Sequence, residues 1–243
     1  MGREDSGFPE ADAPADMTVE TFGAGKAAVV EVRWREAVDQ HGRVNPSAVK
    51  IMLAAAMERL VGTSTPFAEW ALPHVKVGIK VNSIDCQAFT HPEVAGAVAE
   101  GLVMAGAAPT DVTVWDRNKG PMVSRGYVID ESGASGYICR ATNMTDMSQS
   151  KTITIAQRSV RLSPLVEASD VIFNVAALKD HSMAGVTLSL KNNFGMLLSA
   201  EELHGDIAAG SGCEPAISDL AVRPEIRDRL GVAMIDGLLG VCQ

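Results

Sequence analysis

Short apolar runs alternate along this chain with longer stretches of helical periodicity. Four of the runs are typical of buried strands, because they are rich in β-branched residues and end abruptly in polar ones. A fifth short run near the start of the chain is also strand-like. The predicted strands cover residues 29–32, 76–81, 111–115, 171–176 and 232–236.

Helical patterns fill the intervals between these strands. Asn45 followed by Pro46 is typical of an N-cap and a first helical position. In a second segment, Thr90 is the predicted N-cap and Gly106 marks the predicted end of the helix. Strands that alternate with helices favour a parallel sheet covered on both faces. The predicted fold is therefore a three-layer, Rossmann-like α/β domain with a mostly parallel sheet. Its helices are expected over residues 46–60, 91–105 and 155–168, and between 217 and 230, where Pro224 starts or interrupts the last one.

Length and composition set the expected domain boundaries. A chain of 243 residues with 47% hydrophobic residues can bury one substantial core. We expect residues 26–243 to form a single α/β domain, and residues 1–25, which are rich in Asp, Glu, Pro and Gly, to be a poorly ordered arm. Residues 117–150 show little periodicity, so they form either a lid-like functional loop or irregular strands.

Charge and cysteine usage exclude several classes of protein. The net charge of −9 argues against a nucleic-acid partner, since phosphate contacts need clustered Lys and Arg. No apolar run approaches the length needed to cross a membrane. The cysteines are far apart and form no CxxC pair, so they permit disulfides without requiring them. They are Cys86, Cys139, Cys213 and Cys242.

Polar residues follow the carboxyl ends of four predicted strands. In open α/β sheets, ligands bind beyond the carboxyl ends of the strands, so we expect these residues to surround one depression. The segment 178–195 is the most informative, because it places titratable and amide side chains among apolar ones, where packing alone rarely puts them. His91, at a predicted helix start, is either a surface group or faces the same depression. The candidate binding residues are Asn82, His91, Asp116, Lys179, Thr187, Asn192 and Asp236.

Lys191 has two interpretations. Thr187 and Lys191 fall on one side of the segment whether it is a strand or a helix, and the alternation around them favours a strand. An amine with apolar neighbours is partly desolvated, which lowers its pKa and makes it a nucleophile or a base. Alternatively, Lys191 pairs with Asp180 or another carboxylate. The residues alone leave both interpretations open.

Two histidines and one cysteine are further candidates. His181 is the strongest candidate for proton transfer, because an ordinary imidazole titrates near working pH. His204 follows the Lys191 segment, and Cys213 lies in a Gly-rich turn. Imidazole and thiolate are both ligands of transition metals such as nickel or iron, although this spacing identifies no particular metal.

Several segments of the chain resemble the domain-of-unknown-function-362 family. Many members of that family carry a twin-arginine leader and others carry ferredoxin cysteines, and neither is found here. The resemblance implies an extracytoplasmic protein if a leader has been removed and a cytoplasmic one otherwise. Because the family normally continues through a Gly/Pro-rich segment, the resemblance also implies a C-terminus that is either truncated or separately processed. The resemblance is carried by residues 77–82, 90–94, 178–192, 203–205 and 213–217.

A more distant resemblance links the chain to the amino-terminal domain of nickel-dependent lactate racemases. It rests on the order of elements, the strand entry at residues 106–114, and a histidine ten residues before a lysine. The resemblance implies that His181 is a catalytic acid/base, that Lys191 covalently holds a nickel-pincer cofactor, and that His204 ligates the metal. The racemases' other catalytic histidine would fall within residues 116–119, where this chain has none.

Two functional hypotheses follow. The leading one is a metal- or cofactor-dependent enzyme acting on a small anionic substrate, in which His181 moves a proton and Lys191 binds or tethers the substrate or cofactor. The competing one is a non-catalytic accessory protein that carries a metal or iron–sulfur group on His204 and Cys213 and meets a redox partner protein.

Overall fold

A computed structural model of the chain describes residues 14–23, 28–84, 87–142, 150–205 and 213–241. Helices and strands alternate through most of this range. The strands are β1 Thr18–Phe22, β2 Val29–Arg33, β3 Val77–Lys80, β4 Val112–Asp116, β5 Ile138–Ala141, β6 Thr152–Ile155, β7 Arg158–Arg161, β8 Val171–His181, β9 Gly185–Thr187 and β10 Leu230–Val241. The α-helices are α1 Pro46–Val61, α2 Pro92–Met104, α3 Lys119–Ser124, α4 Pro164–Glu167, α5 Ser189–Asn192, α6 Glu214–Val222 and α7 Pro224–Arg227.

The central sheet has six strands and is mostly parallel. Its order is β10-β8-β3-β4-β5, every pair along that path is parallel, and β9 pairs antiparallel with β8. The chain runs outward from β3 through β4 to β5 and then returns to place β8 on the other side of β3. Strand order therefore reverses at β3, which is where open α/β sheets bind ligands at the carboxyl edge.

Two hydrophobic cores lie on opposite faces of this sheet. One contains Leu53 and Met57 of α1 and Val98 and Leu102 of α2, packed with Phe173 and other strand residues. The other forms around Trp115 and Ile172 and includes Ile155, Leu197 and Leu220. The three-layer α/β prediction is confirmed.

The helix signals of the sequence predict the boundaries of the two longest helices, α1 and α2, to within one residue. Asn45 caps α1 through its side chain, which accepts hydrogen bonds from the Ser47 and Ala48 N–H groups, and Gly62 ends the helix with a φ of 77°. The N-cap of α2 is His91 instead of the predicted Thr90. The Thr90 hydroxyl donates to the Val175 carbonyl oxygen instead and so ties the helix start to β8. Between 217 and 230 the helical pattern is divided at Pro224, as predicted.

Other sequence predictions also differ from the structure. Lys191 lies in α5, where the alternation favoured a strand. The strand predicted at 29–32 exists as β2, but it pairs with β1 in a separate two-stranded sheet. β1 itself lies within the segment 1–25 that we expected to be a poorly ordered arm, and residues 1–13 lie outside the described residues. The helix predicted over 155–168 is wrong, because the chain forms the hairpin β6–β7 and then the single turn α4.

The weakly periodic segment 117–150 contributes to the scaffold. It contains α3 and the edge strand β5, while residues 143–149 lie outside the described residues. No helix in the described part of the chain is long and apolar enough to span a membrane. Cys139 and Cys213 are free and buried, and the other two cysteines lie outside the described ranges.

Candidate functional site

A pocket of about 580 Å³ opens at the carboxyl edge of the sheet, where the strand order reverses. The ends of β3, β4 and β8 supply one wall, and the segment from β9 to His204 supplies the other. Among the residues that line it are Lys80, Asn82, Asp116, Arg117, Lys179, His181, Thr187, Lys191, Asn192, Phe194, Gly195 and His204. Eight of the predicted site residues are thus brought together: Asn82, Asp116, Lys179, His181, Thr187, Lys191, Asn192 and His204.

A buried ion pair forms the floor of the pocket. Lys80 at the end of β3 and Asp116 at the end of β4 are each 1% exposed, and their Nζ and Oδ1 atoms are 2.7 Å apart. Asp116 also accepts hydrogen bonds from the Ser83 N–H and hydroxyl groups and from the Arg117 N–H. Burial raises the pKa of Asp116, but the charge of Lys80 and these hydrogen bonds outweigh burial and lower it overall. The carboxylate is therefore ionised.

Three asparagines connect this pair to the opposite wall. Lys80 Nζ donates to Asn192 Oδ1 at 3.4 Å, and the Asn192 amide donates to Asn174 Oδ1 at 2.7 Å. The Asn174 amide in turn donates to Asn193 Oδ1 at 2.7 Å. Because each buried amide has a partner within this network, helix α5 is held at a fixed distance from the strand ends. The network thereby positions Lys191, which lies on α5.

The described direct contacts of the Lys191 amine are with neutral groups. Its Nζ lies 3.3 Å from His204 Nε2 and 4.0 Å from the centroid of the Phe194 ring. Neither described contact is a carboxylate, so the desolvated-amine interpretation fits the geometry better than the salt-bridge interpretation. Burial lowers the pKa of Lys191 to about 8. The charges of Lys179 and Arg117 act in the same direction, whereas Cys213 acts in the opposite one.

His181 and His204 stack beside this amine. Their ring centroids are 5.8 Å apart with an angle of 18° between the planes. His204 Nδ1 lies 2.9 Å from the Ala200 carbonyl oxygen, which requires Nδ1 to carry the proton and leaves Nε2 as the acceptor facing Lys191. Burial and the charge of Lys191 lower the pKa of His204.

The protonation state of His181 follows from its backbone contacts. Its Nδ1 accepts hydrogen bonds from the Met183 and Ala184 N–H groups, both at 3.2 Å. Protonation of Nδ1 would break both bonds, so the ring is neutral with its proton on Nε2. Burial and the charge of Lys191 lower the pKa of His181 to about 4, in agreement with this assignment.

Cationic and hydrogen-bonding groups surround the rest of the opening. Lys179 donates to Asn82 Oδ1 at 3.1 Å and to the Ala88 carbonyl oxygen at 3.2 Å. Arg117 binds Glu201 Oε1 through Nη2 at 2.6 Å, while its buried Nη1 has no hydrogen-bond partner among the described residues. Thr187 Oγ1, on a residue that is 2% exposed, is likewise without a partner there. A buried polar atom without a partner calls for an explanation, and a ligand is one.

Three predicted site residues lie outside the pocket lining. His91 and Asp236 bind each other, with Nδ1 and the backbone N–H of His91 both 2.8 Å from Asp236 Oδ2, and so they join the start of α2 to β10. Cys213 is fully buried in the second hydrophobic core at the start of α6.

The predicted metal ligands do not form a metal site within the described residues. No group of three or more His, Cys, Asp or Glu side chains there is arranged to hold a metal ion. His204 Nε2 is engaged with Lys191, and Cys213 is buried in the second hydrophobic core. Within the described residues, His204 and Cys213 therefore lack the further ligands that a nickel or iron centre needs.

Sequence reasoning missed Lys80, Arg117 and Asn174. Lys80 occupies the polar position of an alternating strand, which normally indicates a solvent-facing side chain. Asn174 interrupts the apolar run of β8, and a polar residue within a buried strand was the available signal. Arg117 directly follows Asp116 at a strand end, so its position was a signal as well.

Comparison with known families agrees with the first resemblance. The model of the family described as a domain of unknown function (DUF362) matches residues 75–242, and this range includes every residue of the pocket lining. The match gives no support to the likeness to lactate racemases. A search of curated proteins found no match. Since the match covers more than half of the 243 residues, the chain belongs to the DUF362 family.

Proposed function

We propose that this chain is an enzyme that acts on a small anionic substrate in the pocket, with the Lys191 amine as its reactive group. The observation that carries the proposal is the position of Lys191 Nζ, between His204 Nε2 and the Phe194 ring. At a pKa of about 8, roughly a tenth of the amine is unprotonated at pH 7 and about half at pH 8. A neutral amine is a nucleophile and a base, whereas the ammonium is neither.

The anionic class of the substrate is supported by the charges around the opening. Its lining contains four cationic residues, Lys80, Arg117, Lys179 and Lys191, and two carboxylates, Asp116 and Asp180, while Arg117 also binds Glu201. Both Lys179 and Arg117 are close enough to Lys191 to lower its pKa. Lys80 adds no net charge, because Asp116 compensates it. The chain as a whole carries a net charge of −9, so the balance of charges in the pocket lining is opposite to that of the chain.

His181 is assigned a different role from Lys191. Its ring is neutral, with Nδ1 accepting two backbone hydrogen bonds and Nε2 carrying the proton. The Nε2–H group can therefore donate a hydrogen bond to a substrate oxygen. A pKa of about 4 makes the ring a poor proton acceptor at neutral pH. We therefore assign proton transfer to Lys191 and hydrogen-bond donation to His181.

Competitive acetylation with a limiting amount of acetic anhydride tests this proposal. Peptide mass spectrometry across pH 6–10 is expected to show labelling of Lys191 with a midpoint at about pH 8. Sodium sulfate, compared with sodium chloride at equal ionic strength, is expected to slow this labelling by occupying the pocket. Exposed Lys119 is the internal control and should not respond to sulfate.

The Lys191→Arg variant removes the nucleophile and keeps the charge. We expect its free energy of unfolding to remain within about 1 kcal/mol of the original, since the change leaves no cavity. If Lys191 and Lys119 are labelled with the same pH dependence, the amine is not activated and the proposal is wrong.

A further inference from the structure

The pocket places an activated amine beside groups that fit a carboxylate. Lys191 Nζ is held from one side by His204 Nε2, whose own orientation is fixed by the bond from Nδ1 to the Ala200 carbonyl oxygen. The Phe194 ring covers a second side of the amine, at 4.0 Å from its centroid. These contacts restrict the directions from which an electrophile can approach, and that restriction is the positional advantage a nucleophile needs.

Arg117 and Thr187 supply a site for the charged end of a ligand. One edge of the Arg117 guanidinium is occupied by Glu201, and Nη1 remains without a partner in the described part of the chain. Thr187 Oγ1 is also buried and without a partner there. Both residues line the pocket, and both groups can donate hydrogen bonds to a carboxylate oxygen.

His181 supplies a donor for a third oxygen. Its ring stacks on that of His204, which in turn contacts Lys191, and all three residues line the pocket. A neutral imidazole donor polarises a carbonyl oxygen without transferring its proton. The pocket thus combines a nucleophilic nitrogen, a carbonyl donor and a carboxylate site.

We propose that the substrate is an oxo acid and that Lys191 Nζ condenses with its carbonyl carbon to form an imine. This inference rests on the proposed function. The amine nitrogen forms a bond to the carbonyl carbon, the carbon–oxygen bond breaks, and the oxygen leaves as water with two protons that originate from the amine. No oxidant or reductant takes part. Arg117 and Thr187 hold the carboxylate, and His181 hydrogen-bonds the carbonyl oxygen before it departs.

Reductive trapping tests the inference directly. The protein is incubated with pyruvate and sodium borohydride, and the adduct is counted by intact mass and located by peptide mapping. We expect one reduced pyruvate adduct on Lys191, none on Lys119, and none at the mutated position in Lys191→Arg. Acetone, which has the carbonyl but no carboxylate, should require a concentration at least about tenfold higher for the same labelling.

Thr187→Val is the matched variant for the carboxylate site. It keeps the shape of the side chain and removes a hydroxyl that has no partner in the described structure, so the thermal unfolding midpoint should not fall. The pyruvate concentration for half-maximal trapping should rise about tenfold, while trapping of acetone should not change.

The outcomes separate this inference from the function on which it rests. It is overturned if pyruvate gives no adduct on Lys191, if acetone labels Lys191 as efficiently as pyruvate, or if Thr187→Val traps pyruvate normally. Absence of the adduct, together with acetylation of Lys191 with a midpoint near pH 8, contradicts only the proposal that the substrate is an oxo acid. Absence of both removes the reactive amine as well.

Discussion

At the scale of single residues, Gly195 determines whether the floor of the pocket can form. A Cβ atom at this position would lie 2.7 Å from Lys80 Cε, closer still to Lys80 Nζ, and 3.2 Å from Asp116 Oδ1. The buried ion pair therefore depends on close approach of the backbone next to Phe194. A methyl group at this position would displace the far end of the Lys80 side chain, which the ion pair with Asp116 holds in place.

We expect Gly195→Ala to lower the free energy of unfolding by about 1–3 kcal/mol, the range for overpacking a buried site. Urea denaturation measures the change. Gly120→Ala is the control, because a Cβ there meets nothing within 4 Å and the residue lies in helix α3. That control should be neutral or slightly stabilising. Equal stabilities for the two variants would mean that the backbone near Gly195 shifts freely.

Lys80 illustrates why the site was only partly predictable from single residues. The alternation of Val77, Ile79 and Val81 identifies one buried face and leaves Lys80 on the other. In this sheet the second face is buried as well, so the position that usually meets solvent meets Asn192 and Asp116 instead. Burial of both faces depends on segments far along the chain, and local periodicity carries no information about them.

At the scale of secondary-structure elements, the hairpin β6–β7 shows how an absent turn signal misleads. Ala156 and Gln157 connect the strands with φ angles of 47° and 67°. Two-residue hairpin turns with positive φ strongly favour Asn-Gly, and Ala-Gln shows no such pattern. The sequence therefore predicted a helix where the structure has a hairpin packed into the second core. The parallel strands were easier to identify, because their apolar runs end in polar residues.

Gln157→Gly should stabilise the protein. Gln157 is exposed, and its backbone is in the left-handed region, where a Cβ atom costs about 1–2 kcal/mol. Glycine removes this steric cost but adds an entropic cost of about 0.5–1 kcal/mol. We expect a net gain of about 0.5–1 kcal/mol in urea denaturation. Gln157→Ala retains the Cβ atom and should show no such gain. A gain of the same size in both variants would exclude relief of backbone strain as the cause.

At the scale of the whole molecule, the two cores and the charged pocket are joined through the strand ends. The contact between His91 and Asp236 joins α2 to β10. β10 lies beside β8, which contains His181, and α5 contains Lys191. Burial lowers the pKa of His91, but the hydrogen bond and charge of Asp236, with Glu93, outweigh burial and raise it overall. His181 is shifted the other way, to about 4. Folding stability should therefore depend on these two histidines with opposite signs.

The signs follow from proton binding in the folded and unfolded chains. For His91, the folded pKa lies above the unfolded value of 6.5. The stabilisation of the folded state by His91 is therefore fully present below pH 6.5 and is lost as pH rises through the folded pKa. For His181, the folded pKa of about 4 lies below 6.5, so stability is lost as pH falls from 6.5 towards 4. His204 acts in the same direction as His181.

Urea denaturation between pH 4 and 8.5 of the original chain, His91→Gln and His181→Gln separates the two contributions. Relative to the original chain, His181→Gln should become progressively more stable as pH falls from 6.5 towards 4, because glutamine has no proton to bind. His91→Gln should be least stable relative to the original in acid, and the difference should shrink as pH rises above 6.5. Parallel pH profiles for all three chains would show that neither ring is shifted by folding, and would remove the basis for a neutral His181 in the pocket.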